Sequence, residues 1–101
     1  MHDAPAGRLL KIKHKHREIG FLSARLVSEH SCPSAWGLRV ESPADVYEFQ
    51  QHLAKGSSMT LTLITRDGSV YRGEACVSSV TTSADVATLV VLAGVGPLLN
   101  D

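Results

Sequence analysis

Histidines offer the most obvious chemistry in this sequence. His14 and His16 are two residues apart, so on a β-strand their imidazoles point the same way. Two imidazoles at that spacing can share a metal ion, provided that His30 or Cys32 supplies a third ligand. Because neither paired cysteines nor a helical H-x-x-x-H motif accompanies them, we predict no metal and no cofactor, and a weakly charged strand face instead.

Nucleophilic and acid–base chemistry has less support. Cys32, two residues from His30, would need a base and an oxyanion site that nothing in the sequence requires. Cys76 stands among apolar strand residues, which is typical of a packing residue. Asp45 and Glu48 are interpreted as the solvated face of a helix. We therefore predict that the protein is not an enzyme.

Charge is balanced overall but uneven along the chain. The 101 residues include ten Lys and Arg and ten Asp and Glu, and this zero net charge argues against a dedicated nucleic-acid binder. Residues 1–30 hold six basic and three acidic side chains, whereas residues 31–101 hold four and seven. The basic excess is concentrated on one face of a predicted strand, in a basic stripe made of Lys11, Lys13, Lys15 and Arg17.

The basic stripe has three interpretations. It is first of all a charged edge strand that discourages aggregation. It could also meet the acidic region of a second copy in head-to-tail self-association. A nucleic acid or another polyanion is the third possibility, which is not favoured because few aromatic residues interleave with the lysines for base stacking.

The elements that must position these residues are mostly strands. Residues 1–7 are predicted to be a flexible arm, and residues 8–101 a single β-rich domain. Alternating polar and apolar residues predict three strands in the first part of the domain, at Arg8–His16, Phe21–His30 and Trp36–Glu41.

One helix follows these strands. Ser42 suits an N-cap and Pro43 the first helical position, and Gly56 after Lys55 is a plausible stop. An apolar stripe at spacings of three and four predicts a helix that packs on a sheet, through Val46, Phe49 and Leu53.

The C-terminal half predicts a hairpin and a last strand. Asp67 and Gly68 stand between Met59–Arg66 and Val70–Val80. A three-residue loop keeps one face of this hairpin apolar, with Leu63 opposite Gly73, Leu61 opposite Ala75 and Met59 opposite Val77. The apolar run Val86–Ala93 is predicted to be a strand that is buried on both faces.

The order βββαβββ predicts a mainly β fold with one α-helix (α+β), arranged as a small antiparallel β-sandwich or partly open barrel flanked by the helix. No apolar run reaches eighteen residues, and no apolar segment with a cleavage site stands near the N-terminus. We therefore expect no membrane partner and a cytoplasmic location.

Residues 73–98 read G-E-A-C-V-S-S-V-T-T-S-A-D-V-A-T-L-V-V-L-A-G-V-G-P-L, which resembles the C-terminal part of tail tube and related tail proteins of long-tailed bacteriophages. The matching positions are Gly73, Ala75 and Val77, then Ser78–Ser83, then Gly94, Gly96 and Leu98. The resemblance implies a ring-forming structural protein of the virion, without catalysis, that contacts other assembly proteins. The short chain suits a tail-completion or baseplate-type role.

These observations predict a non-enzymatic assembly module that self-associates into a dimer or ring through β-edges and apolar patches. The expected interface residues are Phe21, Trp36, Leu98 and Leu99. The alternative that stays open is a small β-barrel binding domain that uses the basic stripe for nucleic acid or another polyanion.

Overall fold

The computed structural model describes residues 7–29, 32–82 and 88–100, with the backbone alone for residues 28, 29 and 32–35. The arm predicted for residues 1–7 lies outside the described residues except for Gly7, which begins the first strand. In chain order the elements are β1 (Gly7–His14), β2 (Arg17–Ile19), β3 (Ser23–Glu29), β4 (Cys32–Glu41), α1 (Val46–Lys55), β5 (Ser58–Thr65), β6 (Val70–Thr81) and β7 (Leu89–Asn100).

The strands form one antiparallel sheet in the order β2-β1-β3-β4-β7-β6-β5, and β1 also pairs with β5. This pairing closes a six-stranded barrel. The short strand β2 pairs with β1 and lies outside this closed ring of strands. The prediction of a mainly β fold with one helix is confirmed. The barrel is closed rather than partly open, and the order gains a strand because β1 and β2 come from what was predicted to be one strand and the turn after it.

The β1–β2 hairpin differs from the predicted strand over Arg8–His16. The strand ends at His14, and Lys15, with a positive φ of 60°, forms a two-residue turn with His16. Arg17 then pairs directly with His14, so the two side chains share one face of the hairpin.

A β-bulge lies between Leu9 and Lys11 on β1. Leu9 and Ile12 are 5% and 1% exposed, whereas Leu10 is 56% exposed. Strict alternation along the strand would place Leu10 on the same face as Ile12. The extra residue of the bulge turns Leu10 outward, as bulges commonly do.

Helix α1 begins later than predicted. Its N-cap is Asp45, whose side chain accepts a hydrogen bond from the backbone N–H of Glu48 at 3.2 Å. The N–H of Ser42 donates a hydrogen bond to the carbonyl of Thr88. This bond connects the segment before α1 to the residue that precedes β7. The predicted stop at Gly56 is confirmed by its left-handed φ of 66°, and α1 packs against β6 with Phe49 fully buried.

Trp36 lies inside the barrel and is 5% exposed, so its predicted place in an interface is wrong. Its indole covers Gly73 and Gly94 on the neighbouring strands, and a Cβ at Gly94 would lie 2.4 Å from the ring. The indole Nε1–H donates to the carbonyl of Gly96 at 2.9 Å. These glycines therefore provide the space that lets the largest side chain of the core fit between β4, β6 and β7.

The last three strands keep the predicted alternation with a different pairing. Leu61 is opposite Gly73, two residues from the predicted register, so the same residues still face the core. Val86 and Ala87 of the predicted last strand lie outside the described residues, and β7 is buried on one face only, unlike the prediction. It also extends beyond the predicted end at Ala93 to Asn100, with a register irregularity opposite Gly73.

Candidate functional site

The fold disperses the predicted basic stripe. The ammonium of Lys11 lies 3.5 Å from the carboxylate of Glu18, and both side chains are about half exposed. Lys15 belongs to the turn, and Arg17 folds back to donate a hydrogen bond to Glu48. Lys13 remains on the outer side of β1, opposite Glu18. The four residues therefore do not form one continuous cationic surface.

A different cationic surface forms on the outside of the barrel, and we refer to Arg8, Arg25 and Arg39 as the arginine row. Arg8 on β1 is directly opposite Arg25 on β3, and Arg25 is directly opposite Arg39 on β4. All three are exposed, and each is flanked on its strand by a buried residue that faces the core. Within the described part of the chain, none of the three makes an ion pair or a side-chain hydrogen bond.

The spacing of strands sets the size of the arginine row. Neighbouring strands lie about 4.8 Å apart, so the three Cα atoms fall within roughly 10 Å. Like charges directly opposite each other on a sheet are destabilising. A shallow depression of about 280 Å³ lies here, lined also by Ser23 and Glu41. Guanidinium groups bind phosphate and carboxylate oxygens in a bidentate manner, so this surface is suited to an anion.

A second group, the histidine cluster, is made of His14, Glu48 and His52. His14 ends β1, while Glu48 and His52 are four residues apart on α1 and therefore share a helix face. One potential ligand atom from each residue lies within 4.8 Å of the other two. Nδ1 of His14 is 2.8 Å from Oε1 of Glu48, and the two imidazole centroids are 5.6 Å apart with an edge-on geometry.

Polar neighbours orient the histidine cluster. Arg17 donates to Oε2 of Glu48, so the two carboxylate oxygens have different partners. Nδ1 of His52 is 2.8 Å from the hydroxyl of Ser57, just beyond the helix C-cap. The side chains of His14 and Glu48 are only 12% and 14% exposed. Two imidazoles and a carboxylate in this arrangement can hold a divalent metal ion.

His14 is close to residues of α1 and not to His16, its neighbour in the sequence. His16 is exposed in the turn after β1 and does not join the cluster, and the side chains of His30 and Cys32 lie outside the described residues. Glu48 had been interpreted as part of a solvated helix face. The four-residue spacing of Glu48 and His52 indicates from the sequence alone that they share a helix face. Only the contact between α1 and the end of β1 adds His14 to them.

The other predicted interface residues have different degrees of exposure. Phe21 and Leu98 are partly buried and pack against the core, whereas Leu99 is 60% exposed. Val95, on the same strand, is 49% exposed. The ladder between β4 and β7 ends at Ala93, so from residue 94 onward β7 pairs only with β6 among the strands that the structure describes.

No helix in the described ranges has both the length and the apolar character to cross a membrane. Comparison of the chain with protein families, with curated proteins and with solved structures found no match. The function is therefore argued from the arginine row, the histidine cluster and the exposed part of β7.

Proposed function

We propose that this chain is a small, non-enzymatic β-barrel domain that binds the phosphate backbone of a nucleic acid on its arginine row. The observation that supports the proposal is the direct cross-strand alignment of Arg8, Arg25 and Arg39 on the outer surface. Mutual repulsion of the three charges would be relieved by a bound anion. This proposal keeps the polyanion-binding function expected as the alternative, and moves it to a different set of residues. The zero net charge argued against such a function for the chain as a whole, whereas the proposal rests on three basic groups gathered on one face.

The shape of the arginine row favours a chain of phosphates over a single small anion. A lone phosphate can accept bidentate hydrogen bonds from one or two guanidinium groups, whereas a row about 10 Å long offers three along one line. Closure of the barrel also leaves few unpaired strand edges, which weakens assembly through β-edges as the main activity. Because contacts to phosphates carry no sequence information directly, binding through the arginine row is expected to be largely independent of sequence.

A salt series tests the proposal. Binding of a labelled random single-stranded oligonucleotide is measured by fluorescence anisotropy at several salt concentrations. Three phosphate contacts predict a slope of log K against log salt of about −2. No binding even at low salt would contradict the proposal.

Matched variants locate the site. Arg25→Gln removes the central charge and is expected to reduce the magnitude of the slope by about 0.7. Lys13→Gln removes one charge from the former basic stripe, and Arg66→Gln removes one from the β5–β6 turn. Both controls should keep the slope of the parent protein. Equal losses in all three variants would show that net charge, rather than the arginine row, determines binding.

A second function, self-association of the kind expected for an assembly module, is supported by the exposed part of β7. Strand β7 contains no charged residue over its whole length, and Val95 and Leu99 are exposed where its outer edge lacks a ladder partner in the described chain. Edge strands usually carry charges that prevent pairing with other molecules. A second copy would cover this apolar surface.

Light scattering coupled to size-exclusion chromatography tests self-association. The expected result is a dimer or ring that persists at high salt, because the contact is apolar, and that dissociates in Leu99→Lys. A monomer at every concentration and salt would rule this second function out. Leu10→Lys, which adds the same charge at another exposed leucine, should leave the oligomer intact.

A further inference from the structure

The geometry points to a metal site: we propose that His14, Glu48 and His52 bind one divalent ion of the zinc class. The three residues come from two elements that are joined only through the tertiary fold, and their ligand atoms converge within 4.8 Å. Imidazole nitrogen and carboxylate oxygen are the donors that Zn²⁺ accepts at about 2.0–2.2 Å. Binding therefore needs only small side-chain movements, in which contacts to the metal replace the hydrogen bond between His14 and Glu48.

A simple ion pair does not account for the whole cluster. The contact between His14 and Glu48 would already tie α1 to the barrel. His52 makes no hydrogen bond to either of them, yet its ring lies edge-on to that of His14. Because Ser57 occupies Nδ1 of His52, Nε2 is the nitrogen that is available to a metal. The third donor is thus oriented by Ser57, and its Nε2 makes no hydrogen bond within the described part of the chain.

The surrounding contacts have the form that metal sites use. Ligating carboxylates and imidazoles are usually held by outer hydrogen bonds that fix their orientation. Arg17 holds Oε2 of Glu48 and leaves Oε1 toward His14, while Ser57 fixes the ring of His52. Arg17 and Ser57 are therefore positioning residues for the site.

Three protein ligands leave a fourth tetrahedral position for water or for an external ligand. The partial exposure of the cluster, with 12% for His14 and 14% for Glu48, is consistent with access from one side. The site is independent of the arginine row, because it shares no residue with it.

Calorimetric titration of the chelator-treated protein with Zn²⁺ tests the proposal. We expect one equivalent to bind, and the thermal midpoint to rise with the free zinc concentration because only the folded chain assembles the three ligands. Failure to bind at micromolar zinc would overturn the proposal.

Variants distinguish this site from other histidines. His52→Ala and Glu48→Gln should each lower zinc affinity by at least about 100-fold, and Ser57→Ala by about 10-fold. His16→Ala is the matched control, because it removes an exposed imidazole two residues from His14. Its affinity should equal that of the parent protein. Unchanged binding in His52→Ala, or loss in His16→Ala, would overturn the assignment.

Folding of each variant is followed in the same samples by circular dichroism. His52→Gln serves as a second variant, because the amide keeps a polar group near Ser57 without an imidazole. A folded His52→Gln protein that has lost zinc binding supports the site. A folded His52→Gln protein that binds zinc with the parent affinity contradicts it.

Discussion

Two groups of positive charge from the same part of the chain end in opposite surroundings. Arg17 contacts Glu48, which also contacts His14, so a carboxylate balances the charge there. Arg25 has an arginine directly opposite it on each side. The first arrangement stabilises the fold, whereas the second opposes it through like-charge repulsion.

The comparison teaches that strand register, rather than closeness in sequence, builds the cationic surface of this barrel. Lys11, Lys15 and Arg17 are near neighbours in the chain, and the β1–β2 hairpin sends them to different surroundings. Arg25 and Arg39 are far apart in the chain, and the β3–β4 ladder places them side by side. Substitutions that alter the packing of the strands, the charge balance or the like-charge repulsion should therefore change the free energy of unfolding differently in the two groups.

The largest effect is expected where the barrel core that holds the strands in register is overpacked. Gly94→Val places a Cβ within 2.4 Å of the Trp36 indole, against the wall of the barrel next to β4. Overpacking of this kind lowers the free energy of unfolding by about 2 to 3 kcal/mol. Chemical denaturation measures the loss.

Ala93→Val is the control for that substitution, since Ala93 is exposed and opposite Gly37 on the outer face. The free energy of unfolding should change by less than about 0.5 kcal/mol. Similar losses of stability in the two variants would mean that the space around Trp36 does not determine the size of the side chain tolerated at residue 94.

The second-largest effect is expected at Glu48, whose carboxylate balances the charge of Arg17. Glu48→Gln leaves Arg17 and His14 without their carboxylate, and should lower the free energy of unfolding by about 1 to 2 kcal/mol. Glu18→Gln is the matched control, because its pair with Lys11 is half exposed and such pairs contribute less than about 1 kcal/mol. Urea denaturation of both variants should show the larger loss for Glu48→Gln, and the reverse order would contradict the proposed balance.

A smaller effect of opposite sign is expected in the arginine row. Arg25→Gln removes the central like charge and should raise the free energy of unfolding by about 0.5 kcal/mol at low salt. The gain should disappear near 1 M salt, where the Debye length falls to about 3 Å. Arg66→Gln, outside the row, should show no salt-dependent gain, and a destabilised Arg25→Gln would show that the row has a stabilising role instead.

The smallest effect lies in the β5–β6 turn, away from both groups. A hydrogen bond from the Thr65 hydroxyl lowers the pKa of Asp67 below its usual value of 3.8. A lowered pKa in the folded state means that the stabilisation is present above the unfolded pKa and is lost as pH falls. An NMR titration should find the Asp67 pKa closer to 3.8 in Thr65→Val, and an unchanged value would contradict this cause.

Local features of the fold could be predicted from the sequence because they depend on nearby residues. Alternation indicated the strands, and Gly56 correctly marked the end of α1. The N-cap was wrong because Ser42 has a left-handed φ of 48° and its N–H is bonded to Thr88, a contact that local propensity cannot show. Likewise, the bulge at Leu10 is a product of pairing between β1 and β5.

The candidate sites were less predictable because both depend on contacts between distant segments. The sequence directed attention to His14 together with His16, whereas the residues that converge on His14 lie on α1. The arginine row was missed because its members belong to three strands whose register is set by the closed barrel. Trp36 was assigned to the surface because nothing local reveals the space that Gly73 and Gly94 leave for it.

NMR titration of the isotope-labelled protein with a random oligonucleotide tests the central claim most directly. We expect the largest chemical-shift changes at Arg8, Arg25 and Arg39 and at their neighbours on β1, β3 and β4, and a marked decrease of all of them at high salt. Largest changes at the β1–β2 turn, or no changes at low salt, would contradict the assignment of the arginine row as the binding surface.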